Sequence, residues 1–199
     1  MTRRRLGLAL FLAGGLISSF AGARYAAGAV ARDEARRVWD EAVAKSAVSD
    51  ARSLAIRDRG VSMAHGRPVA RLLIPKIKLD EIVLEGIDDD AMNGGPGHFP
   101  GSPLPGQLGN AIISAHRDRH FRNLGSLVTG DTVVTQSGSM TTQWVIVKRR
   151  VVDKDTPVLF PTTRATLTLT TCWPIQYFGT APERLILTAT VAGSGAAAH

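Results

Sequence analysis

Three residues far apart in this chain are of the types that thiol chemistry needs: His116, Cys172 and Arg184. Cys172 is the only cysteine, so no internal disulfide can form. It closes the stretch "TLTLTTC", just before Trp173-Pro174, where a strand must end and the chain must turn. Only a thiolate is a good nucleophile, and holding one requires a nearby cation or imidazole together with access. The competing reading of Cys172 is a small buried apolar side chain, and position alone leaves both open. His116 ends "NAIISAH" and is followed by Arg117-Asp118, so it too leaves a strand. Two strand ends at one rim can meet although 56 residues separate them. His120, two residues past Asp118, is its rival. His98 lies in a Gly/Pro loop, either lining a cleft or exposed. His65 has no partner in view, and His199 is the terminus. Arg184 opens "RLILTATV", 12 residues after Cys172, a gap that suits an antiparallel neighbour. There a permanent guanidinium charge would lie across from the thiol and could hold an oxyanion. Taken alone, Arg184 reads better as a solvated strand-end residue.

The elements that must carry these residues begin at Val69. "VARLLIP", "EIVLEGI", "NAIISAH", "DTVVTQS", "TTQWVIVKRRVV", "ATLTLTTC" and "RLILTATV" are short, rich in Val, Ile, Leu and Thr, and separated by Gly, Pro, Asn and Asp. Such spacing predicts an all-β sandwich or closed barrel, and the lack of long helical periods disfavours a doubly wound sheet. "GGPGHFPGSPLPGQLGN", 94–110, is expected to be a long functional or mobile loop. Aromatic residues are only 6% of the chain, so the core should be mainly Val, Ile, Leu and Ala.

Ahead of the strands, Arg3, Arg4 and Arg5 precede Leu6–Ala23, 18 residues without a charge. That length is near the lower limit for a transmembrane helix, and the arginines place the N-terminus inside. A cleaved export signal is the alternative, because Ala21-Gly22-Ala23 has the small-x-small cleavage pattern. Asp33 to Arg59 lacks Gly and Pro, and Ala35, Trp39, Ala42, Ala47, Ala51 and Leu54 recur at helical steps. This predicts an amphipathic helix, either a stalk or docked on the domain. The expected organisation is an anchor over 1–30, an amphipathic helix over 31–60, a catalytic domain over 61–193 and a disordered tail over 194–199.

The formal charge of +7, from 24 basic and 17 acidic residues, has no long basic block and no interleaved aromatics. It argues against a nucleic-acid partner and suits a surface facing anionic lipid. No Cys/His spacing fits zinc. The acidic "DDD" at 88–90, beside Asp80, Glu81 and Glu85, lacks a calcium-loop pattern and reads as a solvated turn. No metal or cofactor is expected.

Taken together, "GPGHFPGSPLPGQLGNAIISAHRD", "TLTLTTC" and "ERLILTATV" resemble the sortase family of cysteine transpeptidases over roughly 69–191. The matching features are a strand ending in an HRD-like segment, a TLxTC strand and an arginine opening the next strand. The "TTCWP" continuation is most similar to the class GN sortases of Gram-negative bacteria. The resemblance implies an eight-stranded sortase-type β-barrel with Cys172 as nucleophile, His116 as general acid and Arg184 as oxyanion or positioning group. It further implies that Thr171 helps hold the bound peptide and that Asp118 is the aspartate of the HRD segment, with a local hydrogen-bonding role open; with His98, placed by its loop position, these are the expected substrate-binding residues. The implied substrate is an LPxTG-like sorting signal, and the second partner is an amine acceptor. The implied location is the inner membrane, crossed once, with the catalytic domain in the periplasm. Two other readings remain: another exported Cys-His enzyme, such as a peptidoglycan hydrolase, and a non-enzymatic tethered β-domain with a buried cysteine.

Overall fold

The computed structural model describes residues 2–48, 64–177 and 179–193. Eight strands form one closed barrel: β1 (Pro68–Ile74), β2 (Leu79–Glu85), β3 (Gly97–His98), β4 (Asn110–Ser114), β5 (Thr132–Ser137), β6 (Met140–Asp153), β7 (Thr166–Trp173) and β8 (Glu183–Val191). The order around the barrel is β1-β2-β3-β4-β7-β8-β6-β5, and β5 closes back on β1. Seven strands match the sequence reading. The eighth, β3, is two residues long and lies inside the Gly/Pro segment read as loop.

Period-two alternation sorts the side chains. Leu167 and Leu169 of β7 join Leu185 and Leu187 of β8, Ala111 and Ile113 of β4, and Trp144 and Ile146 of β6 in the barrel interior. The opposite face of the same strands holds a second cluster, in which Ile112 and Ile186 pack beneath Val158 and Phe99. Burying a Leu or Ile side chain contributes about 1.5–3 kcal/mol each, so the interior set is the main source of cohesion. The core is aliphatic as expected, with Trp144 and Phe121 the large exceptions. Trp144 satisfies its indole N–H by donating to Thr135 Oγ1 at 2.8 Å.

Two pairings are parallel. β3 pairs with β2 through Leu84–Gly97 and Glu85–His98. A side chain at Gly97 would place Cβ 2.1 Å from Gly86 O, so only glycine lets these backbones approach. β4 pairs with β7 through Asn110–Thr166 to Ser114–Thr170, although more than fifty residues lie between them.

The N-terminal region is one continuous helix, α1 (Thr2–Val48), with no break near residue 30. Residues 49–60 of the expected amphipathic segment, and the 194–199 tail, lie outside the described residues. The first half of α1 is long and apolar enough to cross a membrane, and its side chains are exposed. The second half docks on the barrel through Arg32 to Trp39, which removes the stalk reading for that stretch. Ala35 and Trp39 bury against Ile82 and Leu84, and Arg36 donates to Asp80 O at 2.7 Å. Asp80 is also held by a two-pronged contact from Arg71 at 2.6 and 2.8 Å, which keeps its carboxyl below the ordinary range.

The "DDD" run is solvent-exposed as expected but is not a turn. It starts a short helix, α2 (Asp89–Gly94), and Asp88 is the N-cap, accepting from the Asp90 and Ala91 N–H groups at 3.1 Å. Carboxylates favour helix N-termini because they satisfy orphan amides, which is the local reason for this element.

Candidate active site

Cys172 and Arg184 are direct cross-strand partners in the β7–β8 ladder. Directly opposed residues project from the same face with Cβ atoms about 4.5–5.5 Å apart. The thiol is free and exposed. The Arg184 side chain makes no hydrogen bond or ion pair among the described residues, so its guanidinium has donors to spare.

His116 reaches the same rim through β4. The parallel β4–β7 register ends at Ser114–Thr170 and is extended by Ala115 N–H donating to Thr170 O at 3.3 Å. Carried two residues further along each chain, the same register would set His116 level with Cys172. The Thr171 hydroxyl reinforces the join by donating to Ala115 O at 2.7 Å from a fully buried position. His116 Nε2 stands 3.6 Å from Asp89 Oδ1, in the first turn of α2.

Arg117, next in the chain, braces the loop that follows the cysteine. Its guanidinium donates to Pro174 O, Tyr177 O and Gly179 O at 3.2, 3.0 and 2.7 Å, and stacks over the Tyr177 ring. Trp173 is covered in turn by the Arg149 guanidinium, 5.3 Å from the ring centre. The residue after the thiol and the loop leaving it are therefore held from two sides.

The remaining sequence candidates do not join this rim in the expected way. His98 neither lines a cleft nor meets solvent: it is 2% exposed. Its Nδ1 is 2.6 Å from Glu85 Oε2, and its Nε2 lies 2.9 Å from Ser102 Oγ and 3.0 Å from Pro103 O. A buried imidazole needs partners for both nitrogens. β2 supplies Glu85 for one and the Gly/Pro loop supplies Ser102 and Pro103 for the other, so His98 fastens that loop to β2. Thr171 points inward, on the face of Leu169 opposite to Cys172, which follows from strand alternation. Asp118 is exposed on the turn after His116 and makes no ion pair among the described residues. His120 is buried away from the thiol rim, with Nδ1 3.3 Å from Glu81 Oε1. His65, in contrast to its lone appearance in sequence, contacts the Asp88 carboxylate. That contact raises His65 above its ordinary 6.5 and, with the Ala91 N–H, lowers Asp88 to about 2.

Sequence reading missed Asp89, Arg117 and the Glu85 partner of His98. The helix-start signature was present for Asp89: a capping Asp88 followed by acids in the first turn. Nothing local marks the other two, whose partners are distant in sequence. No group of His, Cys, Asp and Glu able to hold a metal ion occurs among the described residues.

A closed barrel with an exposed cysteine, a facing arginine and a histidine on the adjoining strand defines the fold class of sortases. The family model for the sortase domain matches residues 72–192, more than half the chain, and the chain belongs to the sortase family. Sortase D of Bacillus subtilis (strain 168) is 37% identical over 126 residues, which is 61% of this chain and 63% of that protein. The chain thus matches somewhat under two thirds of the length of that relative. The SrtD catalytic domain of B. anthracis is 34% identical with a TM-score of 0.56, over 65% of this chain and 90% of that one. A sortase D transpeptidase of Clostridium perfringens shares the fold, with a TM-score of 0.63 at 24% identity over 84% of this chain and 99% of that one. These relatives are sortases D, and they lend no support to the class GN assignment expected from "TTCWP".

Proposed function

We propose that this protein is a membrane-anchored cysteine transpeptidase acting on an LPxTG-like sorting signal. The observation that carries the reading is the β7–β8 register that opposes Cys172 and Arg184 beside the end of the His116 strand. The Cys172 thiolate attacks the carbonyl carbon of the scissile bond, and Arg184 donates to the developing oxyanion. As the C–N bond breaks, the His116 imidazolium gives its proton to the leaving amine, and a thioester to Cys172 remains. The acceptor amine then attacks the thioester, its proton passes to His116, and the thiolate departs. Transfer to an amine rather than water requires the amine to be bound and oriented. The loop held by Arg117, directly after the cysteine, is a natural place for that.

The first half of α1 serves as a single transmembrane anchor, with Arg3 to Arg5 on the inner side and the barrel on the outer side. Within the family, the 37% identity favours a sortase D-like assignment over class GN. The test is mass spectrometry of the full chain incubated with a panel of LPxTG-like peptides. An acyl adduct on Cys172, released by an added amine and absent from Cys172→Ala, is expected. Peptides that leave Cys172 unmodified and uncut across the panel would refute the reading.

A further inference from the structure

Most of the buried side-chain polar atoms that lack a hydrogen-bond partner gather at one place remote from the thiol: Arg32 Nε, Glu81 Oε2 and both ring nitrogens of His120. They border a cavity of about 410 Å³ between α1 and the barrel. Its walls include Gly28 and Arg32 of α1, Glu81 of β2, Lys78 just before β2, and His120 and Arg122 after β4. His120 is the most deeply buried of these, with a side chain 1% exposed. Arg32 Nε faces Glu81 Oε2 at 3.7 Å and His120 Nδ1 faces Glu81 Oε1 at 3.3 Å, both short of a hydrogen bond, while His120 Nε2 has no facing group among the described residues. An unpaired buried polar atom costs about 1–3 kcal/mol, so the cavity has a place for one further polar partner.

The charge balance selects its sign. Arg32, Lys78, Arg119 and Arg122 face Asp80, Glu81 and Asp118 across the cavity. Asp80 is already neutralised from outside by Arg71, and Glu81 is answered by Arg32 at 3.7 Å. Lys78 and Arg122 are exposed and have no ion-pair partner among the described residues. The surplus on the cavity wall is cationic, so the complement is an oxyanion.

Position selects the source. With Leu6–Ala23 across the hydrocarbon, a rise of about 1.5 Å per residue puts Tyr25 roughly 3 Å, Gly28 roughly 7 Å and Arg32 roughly 13 Å beyond it. The headgroup layer occupies about the first 5–8 Å, so the Tyr25–Gly28 end of the cavity lies in that layer and Arg32 stands above it, its side chain having to reach down to a headgroup. Tyr25, which also borders the cavity and is 76% exposed, then sits at the membrane interface, where such rings are favoured.

We propose that this cavity binds the phosphate of an anionic lipid headgroup, with the buried His120 and the half-exposed Arg32 as polar contacts and Lys78 and Arg122 as flanking cations. The site rests on the reading of α1 as a membrane anchor. Bound there, a lipid bridges α1 and the barrel and sets the height of the domain above the bilayer.

The test uses the full chain in nanodiscs of phosphatidylcholine with or without phosphatidylglycerol, followed by native mass spectrometry after mild detergent release. In a parallel arm, inorganic phosphate is titrated onto the detergent-solubilised chain. The expected result is selective retention of phosphatidylglycerol. Lys78→Gln and Arg122→Gln, both at exposed positions, should each weaken it about fivefold while peptide turnover stays at the wild-type level. Arg32→Gln should weaken it further. Equal retention of the two lipids, or selectivity unmoved in the Lys78→Gln/Arg122→Gln double variant, overturns the site. Binding of inorganic phosphate without lipid selectivity assigns the cavity to a free anion and overturns the lipid. Alkaline carbonate extraction separates the premise from the site. A chain that washes out refutes the anchor and with it the site; one that stays but shows no lipid selectivity refutes the site alone.

Discussion

Thr171→Val removes one hydroxyl and preserves the shape of the side chain. In the wild type that hydroxyl is fully buried and donates to Ala115 O at 2.7 Å, fastening the end of β7 to the residue immediately before His116. Its loss removes a buried hydrogen bond and strips the carbonyl of that partner, a cost of about 1–2 kcal/mol. For a domain of this size that is a fall of roughly 3–8 °C in the unfolding midpoint. The same change frees His116 to drift from Cys172, and small misplacements of catalytic groups are steeply penalised, so turnover should fall roughly tenfold or more. The assay pairs thermal unfolding of the full chain in detergent with peptide turnover at saturating and limiting substrate. Thr171→Ser, which restores the donor, should recover both quantities. A Thr171→Val variant with wild-type stability and kcat but a raised KM would refute the structural tie. It would return Thr171 to the substrate-holding role read from sequence.

Arg184→Lys should lose about a hundredfold to a thousandfold in turnover, because an ammonium lacks the planar fork of donors. Iodoacetamide labelling of Cys172 should change far less, and wild-type turnover would exclude an oxyanion role. His98→Ala should leave the buried Glu85 carboxylate unpaired and destabilise the protein by about 3 kcal/mol. If the variant keeps its stability but fails to bind peptide, His98 faces substrate after all. Arg117→Ala should accelerate amide exchange at Ile175, Gln176 and Tyr177 in hydrogen-exchange measurements; unchanged protection would show that the three carbonyl contacts do not hold the loop. The His65–Asp88 pair gives a pH prediction. His65 is raised above 6.5, so its contribution is full below 6.5 and fades as pH climbs through the raised value. Asp88 is lowered to about 2, so its contribution is full above 3.8 and is lost as pH falls toward 2. An NMR titration should place the His65 midpoint above 6.5 and return it toward 6.5 in Asp88→Asn.

The alternation in "TLTLTTC" was enough to place Leu167 and Leu169 on the interior face and Cys172 on the other, because side-chain direction along a strand is a local property with period two. The same rule, applied one residue back, turns Thr171 inward, which its resemblance-based role had overlooked. The gap from Cys172 to Arg184 was also legible, since an antiparallel neighbour joined by a short connection leaves few registers to choose from. The apolar run of α1 could be read directly from composition. The parallel partnership of β4 with β7 had no local signature. It joins segments more than fifty residues apart, and only barrel closure, with its shared interior of Ile113, Leu169 and Leu187, brings the His116 strand beside the thiol. The fate of His98 was decided the same way: a histidine in a Gly/Pro loop looks accessible until tertiary packing sets Glu85 and Ser102 against its two nitrogens. Local chemistry specifies which face a side chain takes. Which other face it meets depends on long-range pairing, whose loop-closure entropy is overcome only when the whole core assembles.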